Sequence, residues 1–203
     1  RTKKNRPDLY KIYCKKQEII KRLSKNKRMN IHMMEALKRG IGKVIYEKGN
    51  NLAVLCEEVL MICGNNEKES LEMLQEVFCA NPEYLEFAMV VSQEFLKDFL
   101  ESSFHVKAGM KCLQACYTRN VSLPVRFRDI RILGTDFLKQ VSDNYHVCSE
   151  EYIRMRMEAG AVYGAFEEDQ LVGFIGMHAE GSMGMLFVEE PYRGRGIATA
   201  LES

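Results

Sequence analysis

Toward the C-terminal end of the chain, the apolar run Met183–Val188 passes through Glu189, Glu190 and Pro191 into Tyr192-Arg193-Gly194-Arg195-Gly196, and then into Ile197-Ala198-Thr199-Ala200-Leu201. The order reads as a buried strand, a loop of small residues, and a helix from about Gly196 onward. The first turn of such a helix leaves backbone N–H groups without partners, and Gly194 and Gly196 have no side chain to hold a ligand away from them. Arg193 and Arg195 bring positive charge to the same place. These are the physical requirements of a pyrophosphate cradle. No Lys-Ser/Thr follows the glycines, so this is not a Walker loop, and the spacing is wrong for a dinucleotide fingerprint. Taken alone, the loop is open to two readings, a nucleotide cradle or a tight strand–helix turn.

The rest of the chain alternates helical and strand periods. Apolar residues recur every three or four positions over 8–40, with Asp8 placed to cap the start and Gly40 to end it. Val44–Tyr46 and Leu52–Cys56 around Gly49-Asn50-Asn51 predict a hairpin, and 57–63 a further strand or short helix. A helix is expected over Glu67–Phe78, a strand over Tyr84–Val90, a helix capped by Ser92 through Phe104, and a strand over Val106–Tyr117. A second unit then opens near Val121–Pro124, with a strand over Val125–Leu133 and helices over Thr135–Asn144 and Ser149–Ala159. A hairpin of Ala161–Phe166 with Leu171–Met177 follows, and Met183–Val188 is expected to be buried. The pattern predicts a mixed α/β protein with domains at 1–122 and 125–203. The chain begins at Arg1 and stops at Ser203 inside an expected helix, which reads as a piece of a longer chain.

The net charge of +1 conceals a division. Residues 1–48 hold 16 Lys and Arg against 4 Asp and Glu, and the remainder holds 13 against 24. Such an arm suits an acidic partner, but no aromatic interleaving or nucleic-acid motif accompanies it, so a solvated helix face is the preferred reading. No apolar run reaches the roughly 18–20 residues that span a bilayer. With no secretory signal at Arg1–Arg6, the seven cysteines read as reduced, buried thiols of a cytoplasmic protein. Cys112 and Cys116 form the only close pair, and core packing is preferred there over a zinc site.

Arg193-x-x-Gly196-x-Ala198, in its setting of Pro191-x-Tyr192-Arg193-Gly194-x-Gly196-Ile197-Ala198, resembles the Q/R-x-x-G-x-G/A acetyl-CoA motif of the GNAT superfamily of N-acyltransferases. The resemblance covers roughly residues 125–203. The mixed order of residues 1–122 is similar to the leading, degenerate unit of two-domain GNAT proteins, including glycine N-acyltransferase-like ones. The resemblance implies a mixed, largely antiparallel sheet flanked by helices, incomplete at its C-terminal end and preceded by a second α/β domain. It also implies acetyl-CoA or another acyl-CoA as cosubstrate, no metal, and a small-molecule or peptide amine as acceptor.

In this family the amine attacks the thioester directly in a ternary complex. Carried over, the backbone of Arg193, Gly194, Arg195, Gly196, Ile197, Ala198 and Thr199 would hold the pyrophosphate. The edge of the strand at Leu186, Phe187 and Val188 would pair with the pantetheine arm. An N–H near Phe187 or Val188 would polarise the carbonyl, worth about 3–4 kcal/mol by analogy with other acyl transfers. Relatives place a glutamate base where this chain has Ser182, which makes Glu180 the first candidate for the proton acceptor and His178 the second. Two other readings remain, a non-catalytic acyl-CoA-binding module and an interaction protein that uses its basic first residues. The acceptor, acyl-chain length and oligomeric state are not legible in the sequence.

Overall fold

A computed structural model describes residues 6–107, 109, 111, 112, 114–117, 121 and 129–203. The chain divides into two compact units, Arg1–Cys116 and Tyr117–Ser203. The expected domain boundary at 122–125, and the first residues of the strand expected from Val125, lie outside the described residues.

In the first unit, helices α1 (Pro7–Leu23) and α2 (Lys27–Arg39) replace the single helix expected over 8–40. A 3-10 turn at Ser24–Asn26 separates them, where Ser24 Oγ donates to the Lys21 carbonyl (2.7 Å) and Asn30 Nδ2 to the Leu23 carbonyl (3.3 Å). Short polar side chains compete with the helical ladder in this way. Asp8 does not cap α1; Arg6 holds the cap position and pairs with Asp8 at 2.8 Å. Gly40 ends α2 in the left-handed conformation, as expected.

Strands β1 (Lys43–Lys48), β2 (Asn51–Cys56) and β3 (Val59–Cys63) are antiparallel neighbours. Helix α3 (Glu67–Ala80) then crosses over, so that β4 (Ala88–Val91) pairs with β3 in parallel. Helix α4 (Glu94–Phe104) follows. The central strand β2 is buried on both faces. Leu52, Val54 and Cys56 pack with Ile19, Leu23, Met33 and Leu37 of α1 and α2, whereas Ala53 packs with Met73, Leu74, Leu96 and Leu100 of α3 and α4.

Several expectations shift. Pro82–Glu86 is a 3-10 turn, which confines the strand expected from Tyr84 to Ala88–Val91. The cap position of α4 is Gln93, because Ser92 Oγ is drawn to the Met29 carbonyl at 3.1 Å. No strand forms among the described residues of 106–117.

In the second unit, β5 (Ile130–Ile132), β6 (Val162–Glu167), β7 (Gln170–Met177) and β8 (Met183–Val188) form an antiparallel sheet in that order among the described residues. Helices α5 (Leu138–Asn144) and α6 (Glu150–Glu158, capped by the Ser149 side chain) lie between β5 and β6 in the chain. Leu138, Val141, Ile153 and Met157 of α5 and α6 join one core with Val162, Leu171, Phe174 and Met185. A second core gathers Ala165, Val172 and Ile175 around Ile197 and Leu201 of α7 (Ile197–Leu201).

No helix of the described residues is long and apolar enough to cross a membrane. All seven cysteines are thiols, but only Cys56 is buried, and Cys79 and Cys112 are exposed. Apolar sequence neighbours do not decide which side of an element faces water: Phe78 points into the core and the adjacent Cys79 points out.

Candidate active site

Strand β8 is the edge of its sheet among the described residues, so its outer backbone groups are unpaired there. It is less buried than expected, with only Met185 fully enclosed. The cause is a bulge. Phe174 faces Phe187 and Gly176 faces Gly184, so β8 has two residues, Met185 and Leu186, where β7 has one. Met185 takes a positive φ of 52°, which turns its side chain into the core and leaves Leu186 exposed. Gly176 makes room for it, since a Cβ there would lie 2.6 Å from Met185 Cε.

At its C-terminal end β8 leads through a 3-10 turn (Glu190–Tyr192) to Gly194 and Gly196, with φ of 77° and 82°. A Cβ at either glycine would meet only open space, so strain rather than crowding selects glycine. Gly196 is the cap residue of α7, and no side chain caps that helix end. The N–H groups of Ile197, Ala198 and Thr199 therefore start α7 without intrahelical acceptors. Ile197 and Leu201 anchor α7 in the core, and Gly173 on β7 lets it settle. A Cβ at Gly173 would lie 2.9 Å from the Phe187 carbonyl oxygen and 3.4 Å from Ile197 Cγ2.

Both arginines brace the loop. Arg193 Nε donates to the Val188 carbonyl (2.9 Å). Arg195 donates to Pro191 O (3.1 Å), pairs with Glu167 (3.2 Å) and lies over the Tyr192 ring at 5.0 Å. Anion-binding capacity thus resides mainly in the backbone N–H groups.

Glu180 and His178 lie at the opposite end of β8. Glu180 is in the β7–β8 turn rather than on the strand face where its alternation with Ser182 would put it; the turn is closed by His178 N–H to Ser182 O and Gly181 N–H to His178 O, both 2.9 Å. The Ser182 hydroxyl donates to the Glu180 carboxylate. His178 is half-buried. Its Nδ1 is 2.9 Å from the Tyr152 hydroxyl of α6, the two rings stack, and its Nε2 side leaves no space for a side chain at Gly184. Leu186, Phe187, Val188 and Arg193–Thr199 come together at one end, and the two candidate proton acceptors stand at the other. Sequence reading missed Tyr152, Glu167 and the Met185 bulge. The glycines at 173, 176 and 184 were the available signal, because glycine inside a strand marks close approach or a bulge.

Residues 134–202 match the model of the acetyltransferase (GNAT) domain family. This stretch is a GNAT domain. A crystal structure of a Drosophila protein, solved as a structural-genomics target, is similar over 93% of this chain and 80% of its own, with 14% identity and a TM-score of 0.52. That likeness extends the shared fold beyond the GNAT domain into the first unit. No curated protein matches.

The first unit repeats the element order of the GNAT domain, with two helices, three antiparallel strands and a helix. The counterpart of the β8–α7 loop is the turn between β3 and α3. There the Asn66 side chain accepts from Glu69 N–H (3.0 Å), and Glu67 and Glu69 place negative charge in the first turn. The Gln93 amide bridges both backbone groups of Gly64, at 2.5 and 3.2 Å. The N–H groups of that helix start are closed to a phosphate by the Asn66 cap and the two carboxylates.

Proposed function

We propose that the protein transfers an acetyl or other acyl group from acyl-CoA to a primary amine in a ternary complex. The observation that carries this is the succession of an unpaired, bulged edge strand, two left-handed glycines and an uncapped helix start. The pyrophosphate would take the N–H groups from Gly194 to Thr199, since the Arg193 N–H is held by the Glu190 carbonyl (3.2 Å). The pantetheine arm would extend β8 as an added strand beside Leu186, Phe187 and Val188. Laid along β8, about 20 Å at strand rise, the arm carries its thioester from the loop toward the β7–β8 turn. Glu180 and His178 stand there. We assign Glu180, held by Ser182, as acceptor of the amine's proton, with His178 as the second candidate. The site as read needs no metal, and the acceptor is a small-molecule or peptide amine. We place the protein in the cytoplasm, on its thiols.

Calorimetric titration of CoA and acetyl-CoA into the wild type and Gly196→Glu tests the reading. Micromolar binding by the wild type and its loss in the variant are expected, since a carboxylate on a strained αL residue would occupy the anion position. Equal binding by both would remove the loop from the cofactor site.

A further inference from the structure

The first unit contains a pocket of about 340 Å³ that the acyl-transfer reading does not use. It lies between the 3-10 turn joining α1 to α2 and the C-terminal ends of the parallel pair β3 and β4, reached at Gly64 and Gln93. The outer ends of parallel strands are where open α/β sheets commonly hold ligands.

The lining sets apolar side chains (Leu23, Met29, Leu52, Cys63) beside polar ones, and its charge is of one sign. Arg22 and Lys25 contribute cations and Asn30 an amide, and no Asp or Glu lines it among the described residues. Asn50 and Asn65 also line it, but Asn50 Nδ2 donates to Asn65 Oδ1 (3.3 Å) and Asn65 Nδ2 to the Glu69 carboxylate (3.0 Å). Residues 19–34 contain five Lys and Arg and no carboxylate. Arg22 gives one N–H to Glu47 (3.0 Å), which Lys15 also neutralises at 2.9 Å, so the other donors of the guanidinium fork stay available. Lys25 makes no ion pair among the described residues. Asn30 is 6% exposed, and its side chain makes a single hydrogen bond among the described residues, to the Leu23 carbonyl. A nearly buried amide with an unused N–H, beside a guanidinium fork and a free ammonium, is a donor set for an oxyanion.

We propose that this pocket binds a small molecule through a carboxylate or phosphate group. Arg22 and Lys25 supply the charge, and the Asn30 amide supplies a directional donor. The site is separate from the β8–α7 loop, so its failure leaves the acyl-CoA reading untouched.

The test is amide-resolved NMR titration of the whole chain with malonate and, separately, with inorganic phosphate, at constant ionic strength in chloride. Saturable shifts are expected at Gly64, at Asn65 and in the Asn30 side-chain amide. Lys25→Glu, on an exposed turn, and Arg22→Gln should each weaken binding about tenfold, as loss of a charged hydrogen bond does. Lys11→Glu, the same charge change about three turns away on α1, should have little effect. Binding of malonate alone identifies a carboxylate ligand, and of phosphate alone a phosphorylated one. Absence of saturable shifts with both probes, or equal weakening by Lys11→Glu, would overturn the proposal.

Discussion

Gly173 shows how one missing side chain positions the cofactor loop. Its hypothetical Cβ meets a backbone oxygen, which cannot move aside as a flexible side chain can. Gly173→Ala should therefore cost about 1–3 kcal/mol in thermal unfolding, as overpacking does. It should also weaken CoA binding, because Ile197 anchors α7 on the same spot. Unchanged stability would show that α7 does not depend on this contact. At the other end of β8, Glu180→Gln should lower turnover by about 10²-fold or more if that carboxylate accepts the proton, with CoA affinity retained. Unchanged turnover would transfer the role to His178, whose imidazole Tyr152 orients. Neither that contact, across 26 residues, nor the Arg195–Glu167 pair, across 28, leaves a trace in local sequence.

Among the elements, α1 is tied to β1 by one carboxylate. Glu47 receives Lys15 at 2.9 Å and Arg22 at 3.0 Å. Partial burial pushes its carboxyl up, but the two cations outweigh burial and hold it below the usual carboxylate range. A carboxylate held low stabilises the fold above its unfolded value near 4.5, and that contribution fades as pH falls through the folded value. Glu47→Gln should thus be less stable than wild type at pH 7, by about 1 kcal/mol for a pair of this exposure, with the gap closing in acid. A gap independent of pH would mean that packing, not charge, holds the contact. Helix and strand types were legible at this scale because 3.6- and 2-residue periods are local. Element ends were less so. Ser92 and Asp8 have the chemistry of caps, but a distant partner, the Met29 carbonyl, claimed the first, and the neighbouring Arg6 the second.

For the whole molecule, two units share an element order, but only one has an open cradle. Acetyl-CoA should slow amide exchange over residues 185–200 and leave the β3–α3 turn at 63–69 unchanged. Protection of that turn would show that the first unit also binds the cofactor, despite Asn66, Glu67 and Gln93. The sequence alone determined the alternation of elements, the position of the glycine loop and its likeness to the GNAT motif. Each depends on residues adjacent in the chain, where backbone sterics and period decide. The bulge at Met185, the bracing of the loop by its own arginines and the cationic pocket at the α1–α2 turn were decided only by the tertiary structure. A positive φ on methionine, and two cations gathered beside the nearly buried Asn30 amide, exist because packing compensates their local cost.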